Sequence, residues 1–334
     1  MADNRSWHLV SYPDGMPSVD NWALRETSTP VADDDEVLIT TQWLSVDPYL
    51  RGRISPAKNY ASGFQPGDLM RSGGVGQVVN ANNSQFREGD IVFSDHCGWE
   101  EISSVPVKSL RKLDPNDAPV QASLSFLGLP GLTAYFALLR TAAPQSGETV
   151  LISAASGAVG QIAGQIAKIK ELNPVAVCGS DEKIQWCSAL GYSAGINHRS
   201  TDDLVKAVAN ACPNGVDIYL DNTAGPIHDA AMLNLNTRGR IIVIGTIALA
   251  SRFGQPDIGL RHLRQILITR ARVEGFLLDD FAAQYDTARC ELTNWFEAGL
   301  LQHKEDIADG IEQVPHAFIR MLEGKNVGKQ LVRL

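Results

Sequence analysis

The chain has 334 residues, 44% of them apolar, which is enough material for a packed core and, at this length, for two domains. Its 29 Lys and Arg against 38 Asp and Glu leave a net charge of −9, and no basic run is present to neutralise phosphates, which argues against a grip on nucleic acid or on an anionic membrane. No apolar stretch approaches the roughly 20 residues that span a bilayer, and Met1–Arg5 opens polar rather than as a signal peptide, so a soluble, cytoplasmic protein is expected.

Residues 1–123 read as β-rich. Trp7–Tyr12, Val37–Leu44, Gly76–Asn80, Asp90–Phe93 and Trp99–Val105 are short runs of β-branched or aromatic residues, separated by turns such as Pro13-Asp14-Gly15 and Gln65-Pro66-Gly67-Asp68. Their spacing suits a compact antiparallel barrel. The five cysteines (Cys97, Cys178, Cys187, Cys212, Cys290) are scattered, with no CxxC pair and no histidine at zinc-site spacing, so they read as plain thiols. Residues 124–139 then turn apolar around Gly128-Leu129-Pro130-Gly131, and a helix through Ala134, Phe136 and Leu138 is expected to lead into a second domain.

That second domain opens at Thr149–Lys170. The β-forming run Val150–Ile152, a small-residue turn, and apolar residues at helical spacing from Val159 to Ile169 predict strand, turn and helix. Gly157, Gly160 and Gly164 stand where a dinucleotide-binding turn lacks side chains: to bend the chain, to let backbone N–H groups approach a pyrophosphate, and to pack helix on strand. The helix would turn its positive end to the phosphates.

The alternation continues. Strands are expected at Pro174–Cys178, Ala194–Asn197, Val216–Asp221, Gly239–Gly245 and Arg272–Leu278, and helices at Ser180–Leu190, Asp202–Ala211, Ile227–Leu235 and Phe281–Gly299. Such alternation implies a parallel, doubly wound sheet of the Rossmann type, an α/β fold with its ligand at the carboxyl ends of the strands. The tail, with a helix near Val314–Glu323 and a strand at Lys329–Arg333, is expected to return to the first domain.

The second strand ends Val177-Cys178-Gly179-Ser180, without the acid that would bind the ribose hydroxyls of NAD. Lys183, with Ser180 donating a hydrogen bond, is placed to reach the 2′-phosphate of NADPH. Spacing alone leaves Lys183 equally readable as a solvated helix lysine.

The motifs Ser45–Arg51 (SVDPYLR), Gly128–Phe136 (GLPGLTAYF), SAASGAVG, Gly179–Lys183 (GSDEK), Asp221–Gly225 (DNTAG) and Gly324–Lys329 (GKNVGK) come in this order over nearly the whole chain. Together they resemble the zinc-independent medium-chain dehydrogenases/reductases, in the branch of NADPH-dependent 2-alkenal, prostaglandin and curcumin reductases. The resemblance implies a GroES-like β-barrel catalytic domain (1–123 and 303–334), a Rossmann domain (124–302), a homodimer, and reduction of the carbon–carbon double bond of α,β-unsaturated aldehydes or ketones. It implies cofactor contacts at Thr133, Ser156, Gly157, Ala158, Val159, Gly160, Ser180, Lys183, Asn222, Gly245 and Asn326, and favours the phosphate reading of Lys183.

Departures from the family bear on the chemistry. Its Asn-Tyr-Lys after the third strand is here Asn197-His198-Arg199, so Arg199 supplies positive charge while His198 is either a phosphate contact or a surface histidine. Where zinc-dependent relatives carry Gly-His-Glu, this chain has Gly73-Gly74-Val75-Gly76 and no four-cysteine loop, so no metal is expected. The family's Gly-x-Ile-Ser-x-Tyr-Asn is here Gly245–Ser251, with Ala250 at the tyrosine position. Tyr60, in Lys58-Asn59-Tyr60, matches a second active-site tyrosine of the curcumin-reductase subgroup and becomes the candidate proton donor. Trp43, Phe64, Leu249 and Phe253 suggest an apolar pocket, with Tyr49 as a packing or wall residue. Two other readings remain open at this point: a quinone reductase, which needs no protein acid, and an NADPH-binding structural or regulatory protein that has lost catalysis.

Overall fold

The computed structural model describes residues 4–81 and 85–334, so Met1–Asp3 of the polar opening lie outside the described residues. Thr149–Ser153 is buried at every position, because helices cover both faces of the sheet that it centres. Val150 and Ile152 face a core shared with the helices Leu129–Phe136 and Ala158–Ile169. Leu151 faces the opposite core, shared with residues of the helices Leu204–Ala211 and Gly225–Leu233. The sheet has six strands, ordered Ala194–Asn197, Asn173–Cys178, Thr149–Ser153, Val216–Asp221, Leu235–Val243 and Arg272–Gly275, and every neighbouring pair is parallel. The chain winds outward from Thr149–Ser153 in one direction and then crosses to Val216–Asp221 on its other side. A crevice at this switch point, beyond the carboxyl ends of these two strands, is where such folds take ligands.

The N-terminal residues form a seven-stranded sheet around Glu36–Ser45, which pairs with Arg71–Ala81, Ile102–Pro106 and the C-terminal strand Lys329–Arg333, all antiparallel. A hairpin, Asn4–Leu9 with Trp22–Thr27, covers its core and is tied on by bridges Ser6↔Glu100 and His8↔Leu69. In that core Trp22, Trp99 and Phe318 meet with ring centroids 6.0–6.1 Å apart. The tail thus returns to the first sheet, adding Glu305–Asp309 parallel to Lys329–Arg333.

Several expected bounds shift. The helix expected at Ile227–Leu235 runs Gly225–Leu233, and the next strand begins at Leu235 rather than Gly239, bending where Arg238 takes φ 64°. The strand from Arg272 stops at Gly275, and a 3-10 turn, Leu278–Gln284, precedes the helix Tyr285–Glu297. The helix expected to follow Pro130-Gly131 instead includes both, starting at Leu129 with proline in its first turn. Gly131 is required there: a Cβ would lie 1.7 Å from the Phe126 carbonyl oxygen.

Candidate active site

After Ser153 the backbone reverses at Ala154, with φ 48°, and the helix begins at Ala158. The bend therefore belongs to Ala154, not to Gly157, which is extended (φ −78°, ψ −178°) and donates its N–H to the Ala154 carbonyl at 2.9 Å. Gly160 is the position of close approach, since a Cβ would come within 2.6 Å of the Ala154 oxygen and the Ala155 backbone. Gly164 makes room for the Tyr192 ring rather than for a strand, its absent Cβ being 2.1 Å from that ring, and the Tyr192 hydroxyl donates to the Gly160 carbonyl at 2.7 Å. The N–H groups of the helix's first turn have no intrahelical acceptor and point toward the crevice end of the sheet. The Gly324–Lys329 segment lies across this turn: Gly328 N–H donates to Ser156 O at 2.9 Å, and Asn326 donates to the Gly328 carbonyl at 2.8 Å.

At the end of the second strand, Ser180 caps the helix Asp181–Ala189, accepting from Lys183 N–H. The Lys183 ammonium donates to Gly324 O at 2.6 Å, and Arg199 donates to Glu323 O at 3.2 Å. A Cβ at Gly179 would lie 3.2 Å from Arg199 Nε and 3.4 Å from His198 Nε2, so all three basic groups gather around Cys178–Ser180. Burial, with Arg199 and Arg320 nearby, holds Lys183 below the usual lysine range. Burial and the same Arg199 and Lys183 charges push His198 down. Cations held on carbonyl oxygens and repelling one another suit a phosphate dianion, which is the fit that NADPH demands of this end of the crevice.

On the other side of the switch point, Asn222 donates its N–H to Ser153 Oγ (2.9 Å) and its amide to Ser153 O (2.8 Å). Gly245 adjoins it, since a Cβ there would lie 3.2 Å from Asn222 O. Asp221, a buried carboxylate, accepts from Thr223 N–H, Ala224 N–H and the Tyr219 hydroxyl, and its other oxygen meets His228 Nδ1 at 2.8 Å. These bonds hold Ala224 at φ 60°, ψ −160°, a region that glycine ordinarily occupies. The carboxylate raises the His228 pKa. Ser153, Asp221 and His228 were not legible as site residues; a residue at i and one at i+7 on the following helix carry no sequence signal of contact. Thr133, almost fully buried, donates its hydroxyl to Leu129 O within its own helix.

The motif Ser45–Arg51 builds the facing wall. Asp47 takes a bond from the Ser45 hydroxyl and an ion pair from Lys329 Nζ at 2.6 Å, which also donates to Val46 O at 3.0 Å. Arg51 donates to Ala250 O and Gly15 O, both at 2.9 Å, and lies 5.5 Å from the Phe253 ring centroid. Gly52 has no room for a Cβ, which would meet Asn59 at 2.4 Å and Phe253 at 2.8 Å, so both side chains pack against the Gly52 backbone. Ala250 and Phe64 are both buried in the N-terminal core, Phe64 beneath the Arg53 guanidinium at 4.1 Å. Leu249 and Phe253 instead line a cavity of about 130 Å³ with Thr246, Arg252 and Asp257. Tyr60 is 65% exposed. Crowding around its hydroxyl, then the Asp47 carboxylate, raises its pKa against the opposing effect of Arg53. Burial and Asp47 raise Tyr49 more strongly, and the Tyr60 hydroxyl lies close enough to add to the effect.

Residues 5–113 match the family described as the N-terminal domain of oxidoreductase, and residues 158–292 match the one described as zinc-binding dehydrogenase. Mouse (Mus musculus) prostaglandin reductase 1 is 36% identical over 100% of both chains, and the NADPH-dependent curcumin reductase of Escherichia coli (strain K12) is 35% identical over 99% of this chain and 97% of that one. The crystal structure of CurA from Vibrio vulnificus in complex with NADPH superposes with a TM-score of 0.93 over 98% of each chain, at 35% identity. The chain belongs to the medium-chain dehydrogenases/reductases, in the alkenal, prostaglandin and curcumin reductase branch. Four of its cysteines are buried, the Cys178 and Cys187 thiols lie 3.7 Å apart, and among the described residues no three His, Cys, Asp or Glu gather to hold a metal.

Proposed function

We propose that this enzyme uses NADPH to reduce the carbon–carbon double bond of a small hydrophobic enone or enal, without zinc. The observation that carries the reading is the superposition on an NADPH-bound relative over 98% of each chain, with the basic groups Lys183 and Arg199 gathered where the strand-end acid of an NAD site is missing. Bound NADPH supplies a hydride to the β-carbon of the substrate. N–H groups of Ser156–Gly160 hold the diphosphate, Lys183, Arg199, His198 and Ser180 hold the 2′-phosphate, and Thr133, Asn222, Gly245 and Asn326 surround the remainder. The Tyr60 hydroxyl donates to the substrate carbonyl oxygen as it gains enolate charge, and the α-carbon is then protonated from Tyr60 or water. Tyr49, Leu249 and Phe253 face the substrate, with Phe64 and Ala250 packed behind them. Residues 1–123 and 303–334 act as the GroES-like catalytic domain and 124–302 as the cofactor domain.

Side-by-side NADPH oxidation with an alkenal, a bulky dienone and a quinone tests the reaction. Turnover confined to the quinone would replace the double-bond reading, and oxidation by none of them would leave a binding protein. Lys183→Ala is expected to raise KM for NADPH about 10- to 100-fold, the cost of one charge-assisted bond, and to leave NADH nearly unaffected. Steady-state kinetics with both nucleotides check this, and an equal change in both would remove Lys183 from the phosphate site.

The protein is further proposed to be a soluble, cytoplasmic homodimer. No described helix is long and apolar enough to cross a membrane. Among the described residues the strand Arg272–Gly275 has one sheet neighbour, and Leu263, Leu267, Ile268, Val273 and Leu277 are exposed around it, an unpaired edge of the kind that second copies cover. Sedimentation returning a monomer mass would end that reading.

A further inference from the structure

A second cavity, of about 390 Å³, lies in the seam between the N-terminal sheet and the helix Tyr285–Glu297. It is lined by Arg111 on the edge strand Leu110–Lys112, by the stretch from Leu113 to Leu127, and by Arg289, Thr293 and Asn294 of the helix. None of the residues assigned to cofactor or substrate borders it, and its volume falls in the range of small-molecule sites.

Arg111 is unusual in this setting. Its guanidinium leans on the Phe93 ring at 5.2 Å, and among the described residues it has no hydrogen bond or ion pair; Nε and Nη2 are shielded from solvent without partners. Burial, with the Arg289 charge next, lowers its pKa to about 10, while Asp286 opposes this. Arg289 has its own shielded, unpartnered Nε and a single ion pair, at 3.1 Å, to Asp286, whose side chain is wholly exposed. Two guanidiniums are therefore held together with their charge largely unanswered, and a guanidinium's planar fork matches a carboxylate or phosphate edge. Three acids, Asp114, Asp117 and Glu297, also line the cavity. Asp114 accepts from Asn116, and Asp117 and Glu297 form no ion pair with either arginine. They disfavour a polyanion and leave room for one compact anionic head at the arginine end.

We propose that this seam binds a small molecule carrying a single oxyanion group, a carboxylate or a phosphate, gripped by Arg111 and Arg289, with Thr293 and Asn294 as further hydrogen-bonding partners. The site is independent of the proposed reaction.

The test is calorimetric titration of the NADPH-saturated enzyme, whose phosphate cleft is then filled, with inorganic phosphate and separately with acetate, at ionic strength matched by chloride. Saturable binding is expected for at least one, and the stronger of the two identifies the head group. Arg111→Gln and Arg289→Gln should each weaken it by about tenfold or more, the loss of one charge-assisted contact, while NADPH-dependent turnover stays at the wild-type level and shows that the variants fold. Absence of binding by both anions to the wild-type enzyme, or equal binding by the wild type and both variants, overturns the proposal.

Discussion

Replacing Lys329 by methionine is expected to lower stability by about 3–5 kcal/mol, the range for breaking one side of a buried ion pair. Lys329 is 1% exposed, and its ammonium lies 2.6 Å from Asp47 Oδ1 and 3.0 Å from Val46 O. Without it, Asp47 stays buried with the Ser45 hydroxyl as its remaining side-chain partner. The pair also joins the C-terminal strand to the segment that carries Tyr49, so NADPH-dependent turnover should fall with stability. Denaturant unfolding of the single variant and of Asp47→Leu/Lys329→Met separates the causes. The double variant removes both charges and should recover most of the loss, because a well-packed apolar pair can equal a buried ionic one. A single variant as stable as the wild type would show that the pair contributes nothing.

Lys329 also shows where the sequence was legible. Its motif, Gly324–Lys329, implies a cofactor contact at Asn326, which donates to the carbonyl of Gly328, the residue whose N–H bonds to Ser156 O. The buried partner of the motif's last lysine was not legible, because it stands 282 residues earlier in the chain. The parallel sheet was readable for the opposite reason. Each strand there is a short apolar run bounded by its own turn residues, so the pattern is local and survives in one dimension. Glu305–Asp309, with the sequence EDIAD, has no such pattern and is a strand through its pairing with Lys329–Arg333. Trp22–Thr27 was missed similarly, its Arg25 and Glu26 being the exposed positions of a hairpin.

The glycines carry a sharper lesson. The pattern Gly157, Gly160, Gly164 located the turn, but spacing could not tell a bend from a close approach. Ala154 makes the bend at positive φ, and the space left by Gly164 is filled by Tyr192, a residue of another connection. Ala250 was legible as the position of a missing tyrosine. That its methyl is buried in the N-terminal core, with its carbonyl held by Arg51, depended on a contact spanning 199 residues.

In the proposed mechanism, with no hydroxyl at Ala250, Tyr60 carries the donor role, and Tyr60→Phe is expected to reduce turnover by about 10²- to 10³-fold, the effect of losing one well-placed donor to a developing oxyanion. KM for NADPH should hold, since Tyr60 is not among the residues proposed to hold the cofactor. Tyr60 and Tyr49 both have pKa values raised above 10, so each remains a protonated donor through neutral pH. Turnover should accordingly be flat across that range and fail only above it, as the donor ionises. Tyr49→Phe separates the two: its hydroxyl is the more deeply buried and the less free to meet a substrate, so a small loss is expected. A large loss at Tyr49 with wild-type turnover at Tyr60 would exchange their roles. Wild-type turnover in both variants would mean that neither hydroxyl carries the enolate charge and that the proton comes from solvent.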